Sequence, residues 1–534
     1  MFLSITLHFF GCEDSETHKG DQAEDQGEPD PIDPPAEGEV VSSKYTLPGE
    51  EPLACDWFWA RHYLFAVGSQ NLPRPKYYSK CENPDSGETE VYVSFTVGQS
   101  RKEPPFETSG MILRSVLKDG KLEVRGTRHF PECLEMQGIA TSDDCSRVAA
   151  ICNVPPGHTM TADVDVSGDD KVFDELNQVW LYEWNDGEWK QTNPPSLPHR
   201  VIVHKRVKGA NRAQLRYGQA EDVYGIATTV KTGEMAKHSN HALFVVDVER
   251  DADSTTFTKI TERGWDDLCG GVHAGHIHRM AYHPEIQRYA AVCTSDHERA
   301  SANFRMRDAR AHVPNEDRIR KYSFHRQPAS TQAAEREWHG GGGPLVPVPD
   351  SGFLASVVGS IDEEAPYDPM AIGVARIDAD GKPLTADTGQ PIEVDVLDAV
   401  SNVVKWVVDE PHTHLAYPQL VYLGQLANGE HRYLLGWGVM RDLDDPLQYG
   451  DDLRLAYSYQ VMEIDAQGNP YPSTREKIDA GWGDLDDMVS LGNGQVAWVH
   501  TTDSKLVRGE GMPACSVNEV QFNVYTAASF RASQ

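Results

Sequence analysis

Short apolar stretches recur along the chain, and most of them follow a polar turn such as PDSG, ANGE or LGNG. Runs of this kind, rich in Val and aromatic residues and bounded by turn residues, predict buried β-strands. The seven copies are RHYLFAVGS (61–69), SRVAAICN (146–153), VYGIATTV (223–230), QRYAAVCTS (287–295), GFLASVVGS (352–360), HRYLLGWG (431–438) and GQVAWVHT (494–501). No long stretch has a sustained helical period. The pattern therefore predicts a repeated strand.

A second element recurs between these strands. It alternates apolar and polar residues and often ends in a dipeptide such as Asp-Gly or Gln-Gly, which is hairpin chemistry. The copies are ILRSVLKDGKLEV, QVWLYEWNDGEW, ALFVVDVERDAD, IGVARIDADGKPL, YQVMEIDAQGNP and NEVQFNVYTA. The two elements together make a repeat that is longer than the common propeller repeats.

A small antiparallel sheet cannot bury its own apolar faces, but several such sheets bury them against one another when they pack radially into a ring. The sequence therefore predicts an all-β fold, a seven-bladed β-propeller, as a single domain over residues 43–534. Six or eight blades, or paired β-sandwiches, are the alternatives. The segment SSKYTLPG near residue 43 is predicted to supply a strand that closes the ring against the C-terminal blade.

The first residues differ in character from this repeat. MFLSITLHFFGC (1–12) has the order of a lipoprotein-type signal, with an apolar region and a small residue before Cys12, the predicted lipidation site. An ordinary signal peptide and a chance match are the alternatives. Residues 13–42 are acidic and Pro-rich with few large apolar side chains, so we expect a disordered tether.

The Cys12 segment, the acidic tether and the repeated EIDAQGNP and PVPDSGFLA elements give the chain a resemblance to β-propeller lipoproteins of predatory and social Gram-negative bacteria. The resemblance covers essentially the whole chain and is one of architecture. It implies a cell-envelope location, lipid-anchored in the periplasm or on the outer-membrane surface, and it implies no activity.

Eight further cysteines, an even number, fit disulfides in an oxidising compartment. The disulfide candidates are Cys55, Cys81, Cys133, Cys145, Cys152, Cys269, Cys293 and Cys515. Cys269 with Cys293, and Cys133 with either Cys145 or Cys152, are the local pairs. Buried free thiols are the alternative.

Histidines and carboxylates precede several predicted strands, as in the echoes GHIHRMAYHP and PHTHLAYP. In a propeller such segments converge at one mouth of the channel, where imidazole and carboxylate suit a divalent metal such as zinc, copper, iron or manganese. The candidate ligands are Glu221, His276, His278, His339, His412, His414, Asp484 and Asp486. Structural hydrogen bonding between strands is the alternative.

The formal charge of −33 would repel phosphate backbones, so no nucleic-acid partner is expected, and cations suit the overall field better than anions. Nucleophile-elbow, zinc-helix, phosphate-loop and dinucleotide motifs are absent from the sequence. Tryptophans such as Trp184 are candidates for sugar stacking, although packing between blades is their commoner role.

We therefore expect an exported, lipid-anchored binding module with a protein, glycan or small-molecule ligand and a membrane contact through lipid on Cys12. A metal at the channel mouth is an open prediction, and whether the protein is an enzyme is left undecided. The alternatives are a metal-assisted hydrolase or oxidoreductase that uses the His/Asp/Glu ring, and a surface scaffold without a small-molecule site.

Overall fold

Strands make up nearly all of the regular structure that the computed structural model of this chain describes. The described residues are 36–48, 55–57, 71–73, 76–99, 107–131, 133, 135–154, 177–185, 188–191, 202–203, 213–218, 223–231, 239–250, 257–269, 278–295, 301–308, 320–326, 341–361, 370–394, 400, 402–410, 415–439, 458–482, 486–501 and 519–532. None of the helices among them is long and apolar enough to cross a membrane.

Four strands precede the first large sheet. They are β1 (Ala36–Glu37), β2 (Val40–Thr46), β3 (Cys55–Trp57) and β4 (Asn71–Pro73). Strands β3 and β4 pair with each other as a two-stranded sheet.

The first three large sheets follow in chain order. The first sheet is β5 (Tyr77–Glu82), β6 (Thr89–Gln99), β7 (Glu107–Lys118) and β8 (Lys121–Phe130). The second is β9 (Glu135–Thr141), β10 (Val148–Val154), β11 (Asn177–Asn185) and β12 (Glu188–Gln191), with β13 (Ile202–Val203) also paired to β11. The third is β14 (Ala213–Gly218), β15 (Val223–Lys231), β16 (Ser239–Arg250) and β17 (Phe257–Cys269).

Four more sheets complete the described chain. The fourth is β18 (His278–His283), β19 (Arg288–Ser295), β20 (Ser301–Asp308) and β21 (Arg320–Arg326), and the fifth is β22 (Gly341–Pro347), β23 (Phe353–Ser360), β24 (Met370–Ile377) and β25 (Val404–Val408). The sixth is β26 (Leu415–Gln425), β27 (His431–Val439), β28 (Ser458–Asp465) and β29 (Pro470–Ile478). The seventh is β30 (Val489–Gly492), β31 (Gln495–Thr501) and β32 (Glu519–Thr526), followed by the short helix α1 (Ala528–Arg531).

The first strands of these sheets form a closed ring. Each first strand contacts the first strand of the next sheet, and β30 of the seventh sheet contacts β5 of the first. Within each sheet the later strands lie progressively further from this ring. The prediction of a β-propeller is therefore confirmed. The sheets are counted over the described residues alone, so the number of blades stays a prediction.

Strands packed between two neighbouring sheets bury both faces, which explains the continuous apolar runs in the sequence. In β23, Phe353, Ala355 and Val357 pack toward the fourth sheet, whereas Leu354 and Val358 pack toward the sixth. Six of the seven predicted apolar strands coincide with the second strands β10, β15, β19, β23, β27 and β31. The remaining one, RHYLFAVGS at 61–69, lies outside the described residues.

The N-terminal strands close the ring. Strand β2 pairs antiparallel with β32, as predicted, and thereby becomes the outermost strand of the seventh sheet. Strand β1 pairs parallel with β29 of the sixth sheet. Ala36–Gln534 make up one compact unit, and Val40 and Val41 of its strand β2 lie before the predicted boundary at residue 43.

Two disulfides are present among the described residues. Cys133 pairs with Cys152, one of the two predicted local options, and Cys145 pairs instead with Cys81 in β5 of the neighbouring sheet. The backbone of Cys55, Cys269 and Cys293 is described but their side chains are not, and Cys12 and Cys515 lie outside the described residues. The Cys269–Cys293 pair stays a prediction.

Candidate functional site

A cavity of about 360 Å³ lies where the first strands of all seven sheets meet. We call it the central cavity. Tyrosines from four first strands, Tyr78, Tyr217, Tyr282 and Tyr422, line it together with prolines of the fourth and fifth sheets. Its volume and aromatic walls are typical of a small-molecule site.

A buried ion pair lies beside this cavity. Asp486 and Lys76, which precede β30 and β5 respectively, are each only 3% exposed. Lys76 donates from Nζ to Oδ1 and Oδ2 of Asp486 at 3.0 and 2.9 Å, and its backbone N–H donates to Oδ1 at 3.1 Å. Burial of one of these charges without the other would be strongly unfavourable, so the pair joins the seventh sheet to the first.

The next residue, Asp487, is held by guanidinium groups from across the ring. Arg279 of β18 donates from Nη1 to Oδ1 of Asp487 at 2.9 Å. Arg216 of β14 lies further away, with its Nη2 at 3.9 Å from Oδ2. The backbone carbonyl of Asp486 accepts from Gln419 Nε2 at 2.8 Å and from Arg279 Nη2 at 3.3 Å. Residues 486–487 therefore connect four other sheets near the axis.

The cluster has a net positive charge although the chain as a whole is strongly acidic. Three cations (Lys76, Arg216 and Arg279) face two carboxylates (Asp486 and Asp487). Lys76 and Arg279 are buried in short ion pairs, whereas the Arg216 side chain lines the central cavity and is 28% exposed. Arg216 is thus the cation of this cluster that lines the cavity, where Lys80 and the carboxylates of Asp143 and Asp487 also lie.

Gln419 gives the cavity a second polar group. Its side chain is buried and lines the central cavity, and its Oε1 has no hydrogen-bond partner among the described residues. A buried acceptor without a donor is unfavourable unless a ligand or water supplies one. Gln419 Oε1 therefore suits an O–H or N–H group of a bound molecule.

The charges of this cluster alter the titration of its neighbours. Burial, followed by the charge of Asp486, raises the pKa of Tyr78 well above its usual value, so this phenol stays protonated. Burial and the nearby Lys76 lower the pKa of His500 to about 4, so His500 is neutral at pH 7. Burial and Arg279 lower the pKa of Arg216, while Asp487 raises it.

Of the eight candidate metal ligands, Asp486 alone has a described side chain, and both of its oxygens accept from Lys76. A metal at Asp486 would have to displace this ammonium group. The backbone of His278 is described as the first residue of β18, without its side chain. The others, Glu221, His276, His339, His412, His414 and Asp484, lie outside the described residues.

The strand order corrects the place of Glu221 along the repeat. As a channel-mouth candidate, Glu221 is predicted to precede a first strand, but the first strand of the third sheet is β14, and residue 221 falls in the connection from β14 to β15. The other seven candidates lie just before a first strand, or in its first position for His278. The error arose because β14 carries Gln214 and Arg216 and has a weak apolar signal.

Two further arrangements bear on the metal prediction. Buried His283 of β18 donates from Nε2 to the Val348 carbonyl at 3.0 Å, so this histidine joins the fourth and fifth sheets by a hydrogen bond. Cys81, Glu90 and Cys145 are close enough to share an ion, but the two cysteines form a disulfide. In that oxidised state they offer no thiolate ligands.

The candidates predicted from the sequence were His, Asp and Glu residues, and the basic residues of the site were not among them. Lys76, Arg216 and Arg279 lie in or beside first strands, and each is followed within three residues by a tyrosine, in KYY, RYG and RMAY. This recurrence was a usable signal. The strongly negative net charge directed attention to cationic ligands instead.

No protein-family model matches the chain, and no curated protein matches it in sequence. Several solved structures are similar. The haemagglutinin-neuraminidase ectodomain of parainfluenza virus 5 matches with 7% identity over 69% of this chain and 79% of its own, at a TM-score of 0.35. The periplasmic gluconolactonase PpgL of Pseudomonas aeruginosa matches with 11% identity over 81% and 99%, at 0.37.

The α-L-arabinofuranosidase Arb93A of Fusarium graminearum matches with 10% identity over 84% of this chain and 92% of its own, at a TM-score of 0.34. At such identities and scores no activity or substrate carries over from these proteins. The β-propeller fold of this chain rests on its own ring of sheets.

Proposed function

We propose that this protein is a ligand-binding β-propeller whose central cavity takes a small organic anion with a planar ring. The observation that carries the proposal is the position of Arg216. Its guanidinium lines the central cavity, donates one hydrogen bond to the Leu215 carbonyl at 2.9 Å, and is 3.9 Å from Asp487. Its remaining donors suit a carboxylate, which guanidinium binds in a forked geometry.

The rest of the cavity supports a ring-shaped body for the anion. Tyr217, Tyr282 and Tyr422 supply aromatic surface from three separate first strands. Aromatic rings pack well against planar apolar groups. Gln419 Oε1 supplies an acceptor for a hydroxyl or amine of the same ligand. The buried ion pairs of Asp486 and Asp487 hold these strands in place before binding, which reduces the cost of ordering the site.

Three probes with the same ring and different charge test this proposal: benzoate, benzamide and benzamidine. Titration calorimetry on the full chain should give binding for benzoate and weaker or absent binding for the neutral and cationic analogues. The variant Arg216→Gln should weaken benzoate binding by about tenfold, which is the loss of about 1.4 kcal/mol expected for one charged hydrogen-bonded contact. Arg125→Gln, at an exposed arginine of β8, is the matched control.

Tighter binding of benzamidine than of benzoate would contradict the proposal, because it would assign recognition to the carboxylates. Equal benzoate affinity in the wild type and in Arg216→Gln would also contradict it. The unfolding temperature of each variant separates loss of binding from loss of fold.

The cell-envelope location and lipid anchor are part of the proposal. Two disulfides support an oxidising compartment. In a Gram-negative host the wild type should fractionate with membranes and incorporate labelled palmitate, and Cys12→Ser should lose both properties. Label retained by Cys12→Ser would contradict the anchor.

The predicted divalent metal is tested separately by elemental analysis of the purified chain, and its absence would leave the histidines as hydrogen-bonding groups.

A further inference from the structure

A second cavity, of about 320 Å³, lies between the first and second sheets, away from the axis. Alternate residues of β6 and β7, which share a face of their strands, form one wall together with residues 126–128 of β8. Trp184 of β11 and Cys145, in the turn between β9 and β10, form the opposite wall. We call it the Trp184 cavity.

Among the described aromatic side chains, the exposure of Trp184 is unusual. It is 39% exposed, whereas Trp437, Trp482 and Trp498 are fully buried in the core. Among the described residues, Ile361 is the other large apolar side chain that is exposed to this degree, and it does not line the cavity. An indole face at the rim of a cavity provides a contact surface for a ligand.

Charged groups on the opposite wall are held in fixed orientation. Buried Glu90 accepts from Arg114 through both Nε, at 2.8 Å, and Nη2. It also accepts from Asn83 Nδ2 at 2.9 Å and from the Tyr92 hydroxyl at 2.7 Å. These bonds outweigh burial and lower the pKa of Glu90, which keeps it ionised. Because Glu90 accepts from Nε and Nη2 of Arg114, the remaining Nη1 group of that guanidinium lies on the edge away from Glu90.

A second guanidinium gives this cavity a net positive charge. Arg128 of β8 lines the same wall as Arg114, next to Ile112 in the register of β7 and β8. The residues that line the cavity thus include two arginines and one carboxylate, that of Glu90. The disulfide between Cys81 and Cys145 joins the two sheets at the cavity, so its walls are covalently connected.

We propose that the Trp184 cavity binds a carboxylated pyranose, that is, a hexuronate sugar. The apolar C–H face of the ring stacks on Trp184, and the carboxylate is bound by Arg114 and Arg128. A pyranose carries both an apolar face and ring hydroxyls, and the lining of this cavity offers both an indole and polar side chains. This site is separate from the central cavity and does not depend on the function proposed for it.

Saturation-transfer NMR and titration calorimetry on the full chain test the proposal with methyl β-D-glucuronide, methyl β-D-glucoside and acetate. We expect the glucuronide to bind at least about tenfold more tightly than either of the others, because only it presents both ring and charge. Trp184→Ala should weaken glucuronide binding by about tenfold. Arg128→Gln should weaken it by about fivefold, and raising the salt concentration should weaken binding to the wild type.

Matched variants provide the controls. Arg125→Gln removes a cation from the same strand without touching the cavity, and Ile361→Ala removes the other exposed apolar side chain; both should bind like the wild type. Arg216→Gln should leave glucuronide binding unchanged, which separates this site from the central cavity. Equal binding of glucoside and glucuronide, unchanged binding in a folded Trp184→Ala, or loss of binding in Arg216→Gln would each overturn the proposal.

Discussion

At the scale of residues, the axis of the propeller depends on charges that are paired in the interior. Lys76 and Asp486 are separated by 410 positions in the chain, and Arg279 and Asp487 by 208. No spacing pattern reveals such pairs, since they exist only after the ring has closed. This is why the pairing of the basic residues with Asp486 and Asp487 was not predicted, although the recurrence of these basic residues before tyrosines was a usable signal.

The buried pair gives the first prediction at this scale. Lys76→Met should leave an uncompensated carboxylate and destabilise the fold by about 3–5 kcal/mol. Adding Asp486→Leu should recover part of that loss, because both charges are then absent. Glu123→Gln, in an exposed pair with Arg125, should cost less than about 1 kcal/mol. Urea denaturation measures all of these, and additive effects of the two core substitutions would contradict the coupling.

His500 gives a prediction of pH dependence. Burial, then the charge of Lys76, lowers its pKa from the usual 6.5 to about 4. Between these values the unfolded chain binds a proton that the folded chain does not, so stability is lost as the pH falls. Relative to His500→Gln, the wild type should lose about 2 kcal/mol of unfolding free energy between pH 7 and pH 5. Parallel pH profiles for the two proteins would refute this assignment.

At the scale of elements, the second strands were the most predictable part of the molecule. Strands such as β23, β27 and β31 are buried on both faces, so their sequences are almost wholly apolar. First strands were harder to find, because they line a cavity and carry polar residues such as Arg216 and Gln419. The hairpin at Asp119 and Gly120 was predictable from the sequence. Both residues adopt positive φ, and Asp-Gly is one of the few dipeptides that tolerate this conformation.

Strand β2 carries the prediction at this scale. It completes the seventh sheet through seven residues paired with β32, and the adjoining Leu47 is buried in the core between the seventh and first sheets. A chain begun at residue 49 should be less stable than a chain begun at residue 36 by at least about 3 kcal/mol, from lost apolar burial alone. Denaturant unfolding compares the two, and equal midpoints would show that β2 does not close the ring.

At the scale of the whole molecule, charge is distributed unevenly. The chain has a formal charge of −33, yet both of its described cavities present arginine side chains. Groups inside a cavity act at short range, whereas exposed charges beyond about 10 Å are screened by salt. The net charge therefore argues against nucleic-acid partners without deciding which ligand a cavity accepts. The local geometry of each cavity decides which ligand it accepts, and that geometry could not be derived from the sequence alone.

The central claim is that Arg216 makes the central cavity a site for ring-bearing carboxylates. Crystals of the full chain grown with 4-bromobenzoate would test it most directly, because the bromine can be located by anomalous diffraction. We expect one peak inside the central cavity, with the carboxylate about 2.8 Å from the Arg216 guanidinium. Bromine found elsewhere, with the central cavity empty at saturating probe, would contradict the claim.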